Sequence, residues 1–222
     1  MITNASAQTS TAFYQQTGSN VHVDFTKRQS LFSLCNKYRT FLANEVIFAE
    51  GQASDVIYKV LKGTVRSYTI LAGGRRKIHA FRLCGDIFGF DPSGHREFYA
   101  EAITFVEVMV IRHDTSNGLS QELYDVTTQE LIRLQRHALL LAMSARQRVA
   151  HFLVDLAQRA KQPDVLDIPM NRQDIADYLG LTTETVSRTL TQLESVGLIG
   201  ARVSRHIVLR DLSALRHLSE GT

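Results

Sequence analysis

The period of the hydrophobic positions changes along the chain and separates a β-rich part from a helical part. Between residues 45 and 112, short runs rich in Val, Ile, Phe and Tyr alternate with glycines about every ten residues. No helical crossover separates these runs, which disfavours a parallel α/β sheet and predicts a small antiparallel barrel or sandwich. Gly73-Gly74 predicts a hairpin with a primed turn. The runs are EVIFA, VIYKVL, TVRSYTIL, KIHAFRL and FVEVMVIR.

From about residue 121 the apolar positions return with helical spacing. Leu139 and Leu140 form one apolar side, which we expect to face the β-rich part, because a helix apolar on two sides has two packing partners. The other side repeats at alternating steps of three and four residues, as in a heptad seam, and predicts a dimerisation helix. An ordinary core helix is the alternative. The seam consists of Leu131, Leu134, Ala138, Leu141 and Ala145.

The most informative stretch contains two short amphipathic helices separated by one glycine, Gly180. Asn171 is the predicted N-cap of the first helix, with Asp174 in the position of the capping-box acid. Gly180 is expected to end that helix with a positive φ, and Thr182 to cap the second helix. The apolar stripes are Ile175, Ala176 and Leu179 on the first helix, and Val186, Leu190 and Leu193 on the second.

The first two turns of the second helix carry a polar row opposite its apolar stripe. The N-terminal end of a recognition helix meets base edges in the major groove of DNA. Arg pairs there with guanine, Glu accepts from cytosine N4, and a Thr methyl group can meet thymine. An exposed Glu184–Arg188 ion pair, worth about 0.3–0.5 kcal/mol, is the alternative interpretation. The predicted base-reading residues are Thr183, Glu184, Ser187 and Arg188.

RQDIADYLGLTTETVSRTLTQLESVGLI resembles the helix-turn-helix of the CRP/FNR superfamily, and ETVSR resembles its FNR/FixK branch. In that branch the Glu, Ser and Arg of E-x-x-S-R contact a TTGA half-site, and two half-sites form the palindrome TTGAT-N4-ATCAA. The resemblance assigns these contacts to Glu184, Ser187 and Arg188. It also implies a homodimer that recruits RNA polymerase, as an activator of microaerobic, denitrification or nitrogen-fixation genes.

The resemblance extends to the β-rich part, where EGQASDVIYKVLKGTVRSY is similar to the start of the cyclic-nucleotide-binding β-roll. In nucleotide binders a loop Glu holds the ribose and an Arg-Ser pair holds the phosphate. Here GDIFGF places Phe90 at the Glu position, and Arg96 is followed by Glu97. We therefore expect the fold without the nucleotide site, with Gly85, Asp86 and Gly89 serving turn geometry.

The expected architecture is α+β, with an N-terminal jelly-roll-like β-roll, a long dimerisation helix and a C-terminal winged helix-turn-helix. Leu31, Phe32 and Leu34 suggest a short helix leading into the β-roll, VSRHIVL predicts the return strand of the wing, and residues 211–222 predict a short helix. The expected segments are 1–20, a flexible polar tail; 21–120, the β-roll; 121–143, the dimerisation helix; and 144–222, the DNA-binding domain.

The formal net charge of the 222 residues is only +3, so DNA affinity has to come from a local patch and not from bulk charge. Arginines and a capping threonine near the helix-turn-helix are the candidates. The predicted phosphate contacts are Arg172, Thr182, Arg202 and Arg205, with Arg210 as a further basic residue nearby.

The two cysteines of the chain are too few for a four-thiolate [4Fe-4S] cluster, and no zinc spacing occurs. His79, Cys84 and His113 are candidate axial ligands for a haem sensor, which stays open as an alternative. A small-ligand sensor is a further alternative, and a cyclic-nucleotide-binding module is less favoured. The resemblance favours a FixK-like regulator with no cofactor, controlled by its own synthesis. Cys84 is expected to be a buried small hydrophobe, and a redox-sensitive thiol beside the loop is the alternative.

The remaining expectations rest on what the sequence lacks. No nucleophile–base pair, carboxylate pair or metal cluster occurs at motif spacing, so no catalytic or metal site is predicted and an enzyme is disfavoured. The polar start of the chain lacks the apolar region of a signal peptide, and no segment reaches the length of a membrane span. Together with cysteine usage that suits a reducing compartment, these features predict a cytoplasmic protein without a membrane partner.

Overall fold

A computed structural model describes residues 37–112, 121–160, 165–203 and 205–220, without the side chains of 121–123 and 201–203. The β-rich part is a sandwich of two four-stranded sheets, with strand orders β1-β8-β3-β6 and β2-β7-β4-β5. Every paired strand is antiparallel, which confirms the predicted class. The strands are β1 (Lys37–Phe41), β2 (Val46–Phe48), β3 (Val56–Lys62), β4 (Val65–Ile70), β5 (Arg76–Arg82), β6 (Ile87–Phe88), β7 (Tyr99–Ala102) and β8 (Val106–Arg112).

Alternating residues of facing strands fill the interior of the sandwich, because successive side chains of a strand point to opposite faces. Val60, Val65, Val106 and Val108 are fully buried there, beside a stack of aromatic rings around Phe48. Strands β1, β6 and β7 were not predicted. Their runs are short or contain few β-branched residues, and only pairing with better strands makes them extended.

The hairpin between β4 and β5 differs from its prediction. Its loop spans residues 71–75, and the N–H of Gly74 donates to the carbonyl of Leu71 over 2.9 Å. Gly73 has φ +94° at the third position of that turn, while Ala72 before it does not have a positive φ. Positive φ at the third position alone is typical of a type II turn and not of a primed turn.

Among the described residues, the helical part consists of five helices and a three-stranded sheet with strand order β10-β11-β9. The predicted wing corresponds to β10 and β11, while β9 was not predicted and pairs with β11. The helices are α1 (Gln121–Leu141), α2 (Ala145–Ala160), α3 (Arg172–Leu179), α4 (Thr183–Ser195) and α5 (Leu212–Glu220), and the strands are β9 (Val165–Asp167), β10 (Ile199–Val203) and β11 (His206–Leu209).

The helices share one hydrophobic core with the sheet that contains β4 and β5. Tyr68, Ile78 and Phe81 of those strands belong to the same buried cluster as the apolar faces of α2, α3 and α4. Leu140 joins this core and is 1% exposed, as expected, but Leu139 is 67% exposed and does not face the sandwich. Adjacent residues of a helix point about 100° apart, so one surface cannot bury both of them.

Part of the prediction lies outside the described residues, namely the tail over 1–20 and the short helix near Leu31. Within the described ranges, no helix combines the length and the apolar character needed to cross a bilayer.

Candidate DNA-binding interface

The two helices α3 and α4 begin and end as the sequence predicts. Asn171 is extended, with φ −74° and ψ 169°, and its Oδ1 accepts from the backbone N–H of Asp174 over 2.7 Å. Gly180 adopts φ 64° and ψ 39°, the left-handed conformation that closes a helix without a Cβ clash. Thr182 caps α4, where its Oγ1 accepts from the N–H of Thr185 over 3.2 Å.

The capping-box role predicted for Asp174 is wrong. Its side chain is fully buried, and both carboxylate oxygens accept from arginines of the sandwich, Arg66 and Arg76, and not from the backbone N–H of Asn171. A guanidinium is a stronger donor for a buried carboxylate than a single amide, because both groups are charged.

Helix α4 buries its apolar stripe and exposes the predicted reading face. Val186 and Leu193 are fully buried, whereas Glu184, Ser187 and Arg188 are exposed and Thr183 is half-buried. The structure therefore presents the polar row together, along the first two turns of one exposed helix face.

Glu184 is held in its ionised form at the start of α4. Its own backbone N–H and the Thr182 hydroxyl hydrogen-bond its carboxylate and lower its pKa, with a small contribution from Arg188. No ion pair within 4.0 Å joins Glu184 to Arg188 in the part of the chain that the structure describes.

The predicted phosphate-contacting residues differ in their exposure to solvent. Thr182 and Arg205 are exposed, at the start of α4 and in the wing respectively. Arg172, the first residue of α3, is half-buried beside Phe152, and this burial lowers the pKa of its guanidinium. The side chain of Arg202 lies outside the described residues. Thr182 and Arg205 therefore have the better access to a phosphate.

Helix α1 presents the predicted seam to solvent. Leu131 is 55% and Leu134 is 49% exposed, Ala138 is exposed and Leu141 is half-buried. Tyr124 stands one heptad before Leu131, is 59% exposed and extends the row. An apolar row of this size is unfavourable in water unless a partner covers it.

The end of the seam was predicted too far along the chain. Helix α1 stops at Leu141 and not at residue 143, and α2 starts at Ala145. Ala145 is half-buried and, as the first residue of α2, lies on a different helix from the rest of the row. The helical repeat alone could not reveal this break, because the apolar spacing continues through it.

Both parts of the chain are similar to domains of known proteins. A cyclic nucleotide-binding domain model matches residues 38–122, and a Crp-like helix-turn-helix domain model matches residues 147–218. The nitrogen fixation regulation protein FixK of Rhizobium meliloti is 41% identical over 180 residues, which is 81% of this chain and 85% of that protein.

The chain belongs to the CRP/FNR family of transcription regulators.

Two further relatives agree with this assignment. The fumarate and nitrate reduction regulatory protein of Escherichia coli is 31% identical and covers 86% of this chain and 82% of its own length. The structure of FixK2 from Bradyrhizobium japonicum superposes with a TM-score of 0.80 at 36% identity, over 85% of this chain and 100% of that one. The predicted fold is confirmed, and the chain is a DNA-binding regulator whose relatives are regulators and not enzymes.

In this CRP/FNR chain, the guanidinium of Arg96 is buried beside the loop of Gly85 to Phe90 and makes hydrogen bonds within the β-roll. Arg96 is 2% exposed, and its guanidinium donates to Ser54 Oγ over 2.9 Å, to the carbonyl of Val56 over 2.6 Å and to the carbonyl of Gly89. It lies 4.2 Å from the ring centre of Phe48. The guanidinium of Arg96 therefore makes its contacts inside the β-roll.

The loop of Gly85, Asp86 and Gly89 has more than a turn role. Gly85 and Gly89 have φ of +94° and +84°, as turn geometry requires, and the carboxylate of Asp86 accepts from the N–H of Leu83 over 2.8 Å. Asp86 also accepts from Arg133 of α1 over 2.7 Å and from Arg159 of α2 over 2.5 Å. These contacts between the β-roll and the helices were not predicted from the sequence.

Arginine partners keep the carboxylates of Asp86 and Glu130 ionised between the β-roll and the helices. Burial alone would raise the pKa of Asp86, but Arg159 and Arg133 outweigh it and lower the pKa. Glu130 behaves in the same way, because Arg82 donates to both of its carboxylate oxygens over 2.6 Å and lowers its pKa against the effect of burial.

Of the three candidate haem ligands, the structure describes His79 and Cys84. His79 lies on β5, where Nε2 is 3.0 Å from the hydroxyl of Thr69, and His113 lies outside the described residues. Cys84 is exposed, and its thiol donates to the carbonyl of Leu61 over 3.0 Å, so the expectation of a buried cysteine is wrong. A search of the described residues for three or more grouped metal-ligating side chains finds none.

Proposed function

We propose that this chain is a homodimeric activator that binds a TTGAT-N4-ATCAA palindrome. The observation that carries the proposal is the exposed polar row of α4, Glu184, Ser187 and Arg188, on a helix whose opposite face is buried. The Crp-like helix-turn-helix and the FixK relatives support the same assignment.

Base reading would follow from the chemistry of two charged groups one helical turn apart. The Arg188 guanidinium is suited to the O6 and N7 acceptors of guanine, and the ionised Glu184 carboxylate to the N4 amino group of the paired cytosine. Ser187 lies between them on the same exposed face. Thr183 would add a methyl contact with thymine at the edge of the half-site.

Phosphate contacts would fix the register of the helix on the duplex without reading its sequence. The exposure of Thr182 and Arg205 supports this role for both residues, and Arg172 and Arg202 complete the proposed set. The partly buried Arg172 would reach a phosphate only through the end of its side chain.

Dimerisation would be mediated by the exposed seam of α1. A palindromic site requires two reading helices related by a two-fold axis, and a two-fold interface pairs the same surface of both protomers. The seam is apolar and exposed at Leu131, Leu134 and Ala138, and exposed Tyr124 lies one heptad before Leu131. Ala145 would lie at the edge of this interface.

We further propose that the dimer acts in the cytoplasm, contacts RNA polymerase through exposed surfaces, and controls microaerobic or nitrogen-fixation genes without a bound cofactor. The names of the FixK relatives support the choice of genes. The internal contacts of Arg96 support the absence of a nucleotide ligand.

The test is fluorescence anisotropy with a labelled TTGAT-N4-ATCAA duplex and a scrambled duplex of the same composition, at physiological salt. We expect specific binding with a Kd of about 10⁻⁸ M or below, at least about a thousandfold tighter than to the scrambled duplex. Light scattering on the same sample measures the mass of the protein. Equal affinity for both duplexes by a folded dimer would overturn the proposal.

A further inference from the structure

Asp174 joins the first helix of the helix-turn-helix to the β-sandwich through two arginines. Nη1 of Arg66 donates to Oδ2 of Asp174 over 2.9 Å, and Nη2 of Arg76 donates to Oδ1 over 3.1 Å. The two partners precede Asp174 by 108 and 98 residues. Each carboxylate oxygen therefore has its own arginine, one on β4 and one on β5.

Both arginines make further contacts beside those to Asp174. Nη2 of Arg66 donates to Glu101 of β7, and only 8% of the Arg66 side chain is exposed. Arg76 lies 5.6 Å from the ring centre of Tyr68 and 3.8 Å from Asp177, one turn beyond Asp174 on α3. The Asp174 carboxylate of α3 is therefore approached by two guanidinium groups that neighbouring side chains also hold.

The position of α3 determines that of α4, because the turn between them is tightly closed. The N–H of Leu181 donates to the carbonyl of Ala176 over 3.0 Å, and Gly180 takes its left-handed conformation there. Ile175 and Ala176 of α3 share their buried core with Val186 and Leu190 of α4. A rotation of α3 against the sandwich would therefore rotate the exposed polar row of α4 as well.

We propose that Asp174, held by Arg66 and Arg76, is a positioning residue that fixes the direction in which α4 is presented to DNA. An apolar contact tolerates sliding, whereas a carboxylate held by two guanidinium groups has one favourable arrangement. In a dimer, the same bridge in each protomer sets the distance and angle between the two reading helices. The proposal rests on the proposed function, since it concerns binding to a two-part operator.

The test compares operators that differ only in spacer length, TTGAT-N4-ATCAA and the same half-sites with N6. For the wild-type chain we expect tighter binding to N4. For D174N, which keeps the shape of the side chain and removes its charge, we expect the ratio of the two affinities to fall about tenfold. A loss of folded protein would weaken both complexes by the same factor, so the folded fraction of D174N is measured by circular dichroism. An unchanged ratio in folded D174N would overturn the proposal.

The chain offers a matched control for the arginine side of the bridge. Arg75 is exposed in the hairpin loop, next to Arg76, so R75Q and R76Q remove the same charge from neighbouring positions. We expect R76Q to reduce the spacing preference and R75Q to change it by less than about twofold. Equal effects of the two substitutions would indicate bulk charge and would contradict a bridge.

A double-mutant cycle tests whether the two groups act together. If Asp174 and Arg76 act through one contact, D174N and R76Q combined should change the spacing ratio less than the product of the single effects. Independent, multiplicative effects would count against the proposal.

Hydrogen exchange provides a measurement that does not need DNA. In D174N we expect the amides of α3 and of β5 to exchange about tenfold faster, with those of β3 and β8 unchanged. Uniform acceleration, or no change at α3, would overturn the inference. If the wild-type chain failed to bind the palindrome, the proposed function would fall, and hydrogen exchange would still decide whether the bridge holds α3 on the sandwich.

Discussion

Arg148 donates from Nη1 to the backbone carbonyl of Leu179 over 2.9 Å, at the last residue of α3. The same guanidinium donates from Nη2 to the carbonyl of Leu141 over 2.7 Å and from Nε to that of Met143 over 2.8 Å, at the end of α1. A single side chain of α2 therefore satisfies carbonyls at the C-terminal ends of two other helices, which have no partners within their own helices.

Replacing Arg148 should lower the stability of the helical part. R148M keeps most of the aliphatic side chain and leaves these carbonyls without donors, so we expect the free energy of unfolding to fall by about 2–3 kcal/mol. Urea denaturation followed by circular dichroism measures the change. R146M is the control, because Arg146 lies on the same helix and is exposed. Equal losses in both variants would show that the carbonyl contacts of Arg148 do not stabilise the fold.

Removing Arg188 should abolish discrimination at one base pair of the proposed operator. For R188A we expect the affinity difference between a C·G pair and other pairs at that position to disappear, at a cost of about 1–3 kcal/mol per half-site. Competition binding with single-position operator variants measures this. Arg216 of α5 is exposed and gives the control R216A, which should leave both affinity and specificity unchanged.

The substitution R205A should separate a phosphate contact from a base contact. We expect R205A to weaken binding by a similar factor on all duplexes and to reduce the slope of log K against log salt by about one for each phosphate that Arg205 neutralises. A change in base preference in R205A, or a uniform loss of affinity in R188A, would exchange the roles assigned to the two arginines.

A charge in the seam should separate the protomers. Leu134 is 49% exposed in the single chain. A two-fold interface would bury this side chain in both protomers, so each dimer gains its burial free energy twice. For L134K we expect the dimer dissociation constant to rise about a hundredfold or more, measured by sedimentation. L42K is the control, since Leu42 is 68% exposed on the sandwich. A dimer of unchanged strength in L134K would place the interface elsewhere.

His137 should make the fold less stable in mild acid. Its ring lies 4.5 Å from that of Tyr178, and both ring nitrogens are buried without a hydrogen-bond partner among the described residues. Burial is the largest cause, and together with the neighbouring basic side chains Lys77, His79 and His151 it lowers the pKa of His137 from 6.5 to about 4. Below pH 6.5 the unfolded chain therefore binds a proton that the folded chain does not bind until about pH 4.

The sign of the effect follows from this difference in bound protons. Where the unfolded state binds more protons, the free energy of unfolding falls as the pH falls. We expect a decline between about pH 6.5 and pH 4 in the wild-type chain and a shallower decline in H137F, measured by denaturation at several pH values. H95Q, at an exposed histidine, should decline like the wild type. An unchanged slope in H137F would show that His137 titrates alike in both states.

Much of the helix-turn-helix could be predicted because its signals are local. Asn171, Gly180 and Thr182 act within three or four residues of their own positions, so their identities reveal the caps directly. The strands of the sandwich with many β-branched residues were equally clear, whereas β7 and β9 became strands only through their neighbours. The sequence was sufficient to predict an element where the partners of its residues lie in the same segment of the chain.

The tertiary structure alone decided where the long-range polar contacts lie. By position, Asp174 could have been a capping-box acid and Asp86 a turn residue, yet their carboxylates bind arginines on other elements. Leu139 and Cys84 are exposed although their residue types favour burial. Periodicity and capping preferences report on neighbours along the chain, but an ion pair that spans a hundred residues depends on how the β-roll and the helices pack, and it leaves no periodic signal in the sequence.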